Sequence, residues 1–166
     1  MSPAGAEDIA FLRRAITLAR EAERNGNLPI GALICLDGQV IGEGMNAMWS
    51  PSLSLVRHAE MEAMRSVAPA LWLRSHEMTL YTTLEPCLMC AGAILLHQIG
   101  RVVYGAADFF GGSSISLDHL SPYFQEQFAQ TEWIGPALPD ECDPLLGRTL
   151  EIFAARGQFD NVKKQT

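Results

Sequence analysis

The sequence predicts an α/β fold, a mixed β-sheet with helices on both faces, in a single domain spanning residues 1–166. Three observations predict it. Segments with helical apolar spacing alternate with short runs of strand formers, the pattern of a layered α/β domain. A strong hairpin signal lies near the start, so two strands run antiparallel. The later strands are separated by helix-length segments, and strands joined that way pair in parallel through right-handed crossovers. At 166 residues the chain is long enough to bury a real core.

Each element has its own warrant. The first helix runs from Glu7 to Arg24, with Ile9, Leu12, Ile16 and Ala19 at helical spacing between charges. Asn25-Gly26-Asn27 stops it. Ile30 to Leu36 and Gln39 to Gly42 flank Asp37-Gly38, a two-residue hairpin turn. A second helix starts near His58 and runs to Val67, ahead of Pro69. Met78 to Leu84 is rich in strand formers. Pro86 then opens a helix that reaches Gln98, since proline suits the first helical position. Arg101 to Gly105 is a short apolar strand, and Phe109 to Ser114 is a loop. A helix from Tyr123 to Ala129, a strand from Glu132 to Ile134 and a helix from Asp140 to Ala155 complete the chain.

The bulk numbers exclude several classes. Hydrophobic residues make up 48% and charged residues 19%, as in ordinary globular proteins. No apolar run approaches the roughly 20 residues of a membrane span. Met1 to Asp8 lacks the basic and apolar regions of a signal peptide, so a cytoplasmic protein is expected. The net charge of −7 argues against a surface built to hold a polyanion, and Lys163-Lys164 near the end is a basic cluster of only two residues. Four cysteines in such a chain suggest metal or thiol chemistry before disulfides. Cys35, between Ile34 and Leu36, reads as a core thiol, and Cys142 has no evident partner.

Two short stretches carry the chemistry: His58-Ala59-Glu60 and Pro86-Cys87-Leu88-Met89-Cys90. Together they can supply three zinc ligands, His58, Cys87 and Cys90, and one carboxylate, Glu60, that can stay off the metal, a pattern that resembles the zinc deaminases'. Three protein ligands leave the fourth tetrahedral position to water, which separates catalytic from structural zinc. On a regular helix a spacing of two places His58 and Glu60 about 200° apart. They share one site only if His58 sits at the helix cap, where the backbone is not yet helical. Cys87 and Cys90, three apart, lie on one face of a first turn. Two helix N-termini then point at one metal, and their field favours thiolates. Glu60 can take a proton from the bound water and deliver it to a ring nitrogen or a leaving amine. A lone Cys-x-x-Cys also serves structural zinc or redox chemistry. A closed structural site would need a fourth ligand, and His76, His97 and His119 have no paired spacing with the motif.

On these motifs the chain resembles the cytidine deaminase-like superfamily, with the bacterial tRNA adenosine deaminases nearest in motif and the fungal-type cytosine deaminases also similar. The matching text includes Leu28 to Ala32, Val40 to Asn46, His58 to Ala63, Thr79 to Ala93 and Ile99 to Ala106, with looser similarity at Asp140 to Cys142. The resemblance implies a three-layer α/β/α sandwich with a five-stranded mixed sheet. It implies Zn2+ held by His58, Cys87 and Cys90, and proton transfer by Glu60. It implies that Asn46 hydrogen-bonds the substrate base, that the Ala59 backbone N–H meets the substrate, and that Leu28 and Pro29 form pocket wall. It also implies a homodimer whose interface contributes to the active-site walls.

Several positions depart from the tRNA-editing subgroup. Before His58 the chain reads Ser54-Leu55-Val56-Arg57 in place of that subgroup's Asp/Asn-Pro-Thr-Ala. Arg57 is suited to a substrate carbonyl or phosphate, or to a simple salt bridge. Ala106-Ala107-Asp108 lacks the subgroup's arginine, and Phe109-Phe110 replaces a more polar stretch. Two adjacent aromatics suit stacking on a base or capping the pocket, and core packing of one is the plainer alternative. With the acidic charge, these departures favour hydrolytic deamination of a small substrate: a nucleobase, a nucleoside or a related amino-heterocycle. The alternatives are deamination of the wobble adenosine of tRNA, which the charge disfavours, and a non-catalytic zinc-binding partner subunit. Glu60 argues against the last.

Overall fold

The computed structural model describes residues 4–114 and 119–157. Its elements follow the expected order: α1 (Ala6–Arg24), β1 (Gly31–Leu36), β2 (Gln39–Met45), α2 (Ala59–Ser66), a 3₁₀ segment (Pro69–Glu77), β3 (Thr79–Leu84), α3 (Leu88–Leu96), β4 (Arg101–Ala106), α4 (Pro122–Gln130), β5 (Glu132–Ile134) and α5 (Pro139–Ala155). The five strands form one sheet in the order β2-β1-β3-β4-β5. β1 is antiparallel to β2 and β3, whereas β3, β4 and β5 run parallel. The Lys163-Lys164 cluster lies outside the described residues. No helix among the described residues is long and apolar enough to cross a membrane.

Strand β2 runs to Met45, three residues past its expected end at Gly42, and two further differences from expectation have local reasons. Helix α3 begins at Leu88, and Pro86 lies outside it. Cys87 is the cap, extended at φ −69° and ψ 170°, and its carbonyl accepts the first helical bond from Ala91. The Pro86 carbonyl turns outward to accept the Ser113 N–H. The 3₁₀ segment was not expected, because Pro69-Ala70-Leu71-Trp72 gives no periodic apolar face. The hairpin turn is as expected. Asp37 and Gly38 both have positive φ, 53° and 71°, which matches the right-handed twist of the flanking strands.

Strand alternation divides the core into two layers. Ile34, Leu80 and Val102 face Ala59, Ala63 and Met64 of α2 and Ile94 of α3. Leu33, Tyr81 and Val103 face Leu12 and Ala15 of α1. Beside them Ile16, Leu84 and Ala106 pack on Cys142 of α5. The chain is therefore a three-layer sandwich, with α2 and α3 on one face and α1 and α5 on the other. Cys35 and Cys142 are both buried and free, and burial pushes each thiol up to about 12.

Helix α2 lies directly on the backbone of β2. A Cβ on Gly44 would stand 2.2 Å from the Ala63 nitrogen and 2.3 Å from the Ala59 carbonyl oxygen. This close approach fixes where α2 begins, and so where its first residues point.

Candidate active site

The start of β1 lies beside the ends of β2 and β3, and α2 and α3, which follow those two strands, both start at that edge of the sheet. His58 is the cap of α2, extended at φ −73° and ψ 157°. It therefore escapes the helical spacing that would turn it away from Glu60, as the sequence required. Cys87 caps α3, and Cys90 lies in that helix's first turn.

These starts bring three donor atoms together. His58 Nδ1 lies 3.6 Å from Cys87 Sγ and 3.6 Å from Cys90 Sγ. A tetrahedral zinc with Zn–S of about 2.3 Å and Zn–N of about 2.0–2.1 Å separates N and S ligands by about 3.6 Å. The three residues therefore fit zinc by spacing as well as by type. They are the one metal-type cluster among the described residues. His76, His97 and His119 are exposed, so none supplies a fourth ligand there.

Glu60 stands beside this cluster. It is 3% exposed, accepts a hydrogen bond from the Thr82 hydroxyl at 3.2 Å and lies 3.5 Å from Cys90 Sγ. Burial raises its pKa above the usual carboxylate value. Without the metal, the Cys90 thiol's hydrogen bond and the nearby imidazole hold Cys87 down at about 4. The same hydrogen bond, with burial, raises Cys90. Burial opposes a charged His58, but the Cys87 hydrogen bond and the Glu60 charge outweigh it and raise its pKa. A coordinating cation ionises both thiols outright.

The cluster opens into a pocket of about 300 Å³, the size of a small ligand's binding site. His58, Glu60 and Cys87 form its floor, and Leu28, Met48 and Phe110 contribute walls. Asn46 is buried behind Leu28 and Met48 and, like Ala59, is not itself among the residues that line the pocket. Its Oδ1 accepts the N–H groups of Leu28 and Met48, while its Nδ2 has no hydrogen-bond partner among the described residues. Such an orphaned donor is expected where a ligand supplies the acceptor.

The remaining expected residues divide. Ala59 is fully buried in the first turn of α2. Pro29 is buried but does not line the pocket. Phe109 is 88% exposed and lies outside the lining. Arg57 is also outside it, because its guanidinium is held by Glu62 at 2.9 and 3.2 Å on the outer side of α2. Of its two suggested uses, the salt bridge is the one the structure contains.

Several lining residues have no signature in the sequence. Leu146, Thr149, Leu150 and Phe153 of α5 form one wall. Their helical spacing was readable, but not which layer the helix would cover. Asn27 accepts the Trp49 and Ser50 N–H groups and so ties the end of α1 to the segment carrying Met48. Glu85 and Asp108 also line the pocket, and only the proximity of Glu85 to Cys87 hinted at it.

Residues 6–106 match the family described as the cytidine and deoxycytidylate deaminase zinc-binding region. The chain is 38% identical over 143 residues to the tRNA-specific adenosine deaminase of Bacillus subtilis (strain 168), covering 84% of this chain and 86% of the relative. It is similar to a solved structure from work on A-to-I editing by tRNA:A34 deaminases at the wobble position of transfer RNA. There the identity is 31%, the TM-score 0.69, and the coverage 82% of this chain and 99% of that one. It is also similar to the solved guanine deaminase of Bacillus subtilis, with 38% identity, a TM-score of 0.51, and coverage of 63% of this chain and 66% of that one.

Proposed function

The chain belongs to the cytidine and deoxycytidylate deaminase zinc-binding family, a zinc-dependent hydrolytic deaminase, and from that premise we propose its chemistry residue by residue and its substrate. His58, Cys87 and Cys90 would hold the zinc, which when bound polarises a water in its open position. Glu60 takes a proton from the attacking water. It returns that proton to the ring nitrogen beside the amine-bearing carbon. It then helps move a proton to the departing amine, so that water and amine become carbonyl and ammonia. A buried carboxylate with a raised pKa suits both directions of transfer. Asn46 Nδ2 donates to an acceptor on the base edge, and Leu28 and Met48 pack on its faces. The observation that carries this reading is the convergence of Glu60 and three zinc-type donors on the floor of one base-sized pocket.

The substrate we propose is an adenosine presented by tRNA, converted to inosine. Its support is the similarity to tRNA-specific adenosine deaminases along most of both chains. A second reading, a free nucleobase or nucleoside, has support of its own. The chain carries a net charge of −7, and no lysine or arginine is among the described residues lining the pocket. The similarity to guanine deaminase fits that reading too. A homodimer in the cytoplasm accompanies either substrate.

The deciding measurement is ammonia release from adenine, guanine, cytosine, their nucleosides and an adenosine-bearing anticodon stem-loop. Turnover of the stem-loop alone is the expected result, and efficient turnover of a free base or nucleoside would replace it with the second reading. Glu60→Gln should retain zinc and fold while losing about 10³-fold or more in turnover, judged against general acid–base contributions of about 10²–10⁴. Near-normal turnover in that variant would remove Glu60 from the mechanism.

A further inference from the structure

Glu85 is a buried carboxylate for which the deamination scheme has no use. It is 5% exposed and lines the pocket two residues before Cys87. Among the described residues it meets no cation. Its Oε2 accepts the Asp108 N–H at 3.0 Å, and its Oε1 accepts the Ser114 N–H at 2.9 Å. Its own N–H donates to the Ala106 carbonyl at 2.8 Å, at the end of β4. A carboxylate taken from water is costly unless its lone pairs are engaged. Here backbone N–H groups from both ends of one loop engage them.

The next residues continue the attachment. Ser113 N–H donates to the Pro86 carbonyl at 2.9 Å, and Cys87 bridges Gly112. Within the loop, Asp108 Oδ1 accepts the Phe110 and Gly111 N–H groups at 3.0 and 2.9 Å. The fit is close. A Cβ on Gly112 would lie 2.5 Å from the Glu85 carboxyl carbon and 2.5 Å from the Asp108 carbonyl oxygen. The loop so held carries Asp108, Phe110 and Gly111, which line the pocket together with residues of α5.

We propose that Glu85 is a positioning residue for substrate selection. Its carboxylate sets the 108–114 loop, and thereby the pocket wall that Phe110 and Asp108 present to the ring of the substrate. One short segment, Glu85 to Cys87, then fixes both a proposed metal ligand and the pocket wall that the loop supplies. The width available to the ring is coupled to the place where chemistry occurs.

The inference rests on the deaminase reading for its kinetic arm alone. In Glu85→Gln one acceptor oxygen becomes an NH2 group, so one loop N–H loses its partner. Hydrogen exchange at the amides of 108 and 114 should rise about tenfold or more, with zinc content unchanged. KM should rise about tenfold and kcat fall no more than about threefold. Discrimination between adenine and cytosine on whichever carrier the wild type accepts, nucleoside or stem-loop, should shrink about tenfold. Gly112→Ala, which displaces the carboxylate from the loop side, should reproduce the pattern, and Glu85→Asp should retain more of the discrimination than Glu85→Gln. Unchanged exchange overturns the proposal. So does a loss of turnover that follows zinc loss or unfolding with the discrimination intact. A wild-type chain that deaminates nothing sinks the deaminase reading, and exchange then decides whether Glu85 holds the loop.

Discussion

Single residues in this protein matter through what they are made to face. His58 and Glu60 are two apart in a helical segment and would diverge, yet the extended cap turns the imidazole onto the cysteines. That step was readable, because helical geometry forbids the alternative. Arg57 was not readable in the same way. Its neighbour His58 suggested a role at the pocket, but Glu62 lies within its reach once α2 has formed, and the pair closes on the outer face. Asp8 shows the same dependence on distant partners. Arg101 grips both its oxygens, at 2.6 and 3.0 Å, and the Tyr81 hydroxyl donates to it at 2.8 Å. Those bonds, the Arg101 pair foremost, hold its pKa down at about 2 against an ordinary value of 3.8. A carboxylate with a lowered folded-state pKa stabilises the fold fully above its unfolded value. That stabilisation is lost as pH falls toward the folded one. Asp8→Asn should therefore cost about 1–2 kcal/mol at pH 7, and the gap from wild type should narrow as pH falls from 4 toward 2. Urea melts across that range test it, and a pH-independent gap would contradict the ion pair's role.

At the scale of elements, the hairpin and the alternating helices and strands were legible because local chemistry specifies them. Asp37-Gly38 demands positive φ, and α1 has its apolar stripe. What local chemistry does not specify is which neighbour an element touches. The α5 wall of the pocket is of this kind, since its residues read simply as an amphipathic helix. The contact of α2 with β2 is another. Gly44→Ala must push α2 off the strand, because 2.2 Å leaves no room for a methyl group. The expected cost is about 1–3 kcal/mol, with weaker zinc retention, because the cap residue His58 moves with the helix. Thermal melts and zinc titration of the variant measure both effects. Loss of stability with normal zinc affinity would show that the cap is held independently of the helix.

At the scale of the whole molecule, the fold class followed from element order, and the pocket's contents followed from it only in part. The fold brings together pocket residues as distant in the chain as Leu28 and Phe153, and spacing within one motif says little about such meetings. The surface carries a further message. Helix α3 is apolar all round, and it leaves Leu88 and Leu96 more than half exposed and Met89 37% exposed. Leu55 and Val56 are likewise exposed beside α2, next to a cleft of about 670 Å³ lined by Met61 and Trp72. Apolar surface of this extent is characteristic of an interface. We expect light scattering to give twice the chain mass. Replacing Leu88 and Leu96 with glutamate should give the single-chain mass, and a wild-type monomer at micromolar concentration would refute the expectation.

The two caps that hold the proposed zinc ligands have a topological consequence. Residue 58 and residues 87 and 90 are far apart along the chain, and a metal joining them works as a removable cross-link. It closes a loop of about thirty residues that contains α2, the 3₁₀ segment and β3. Closing a loop of that length restricts the unfolded chain, and the binding free energy is thereby shared with folding. The centre of the sheet is then stapled by the same atom that the chemistry needs. A chain that lost its metal would be loosened first between these caps, which is also where the substrate would have to bind.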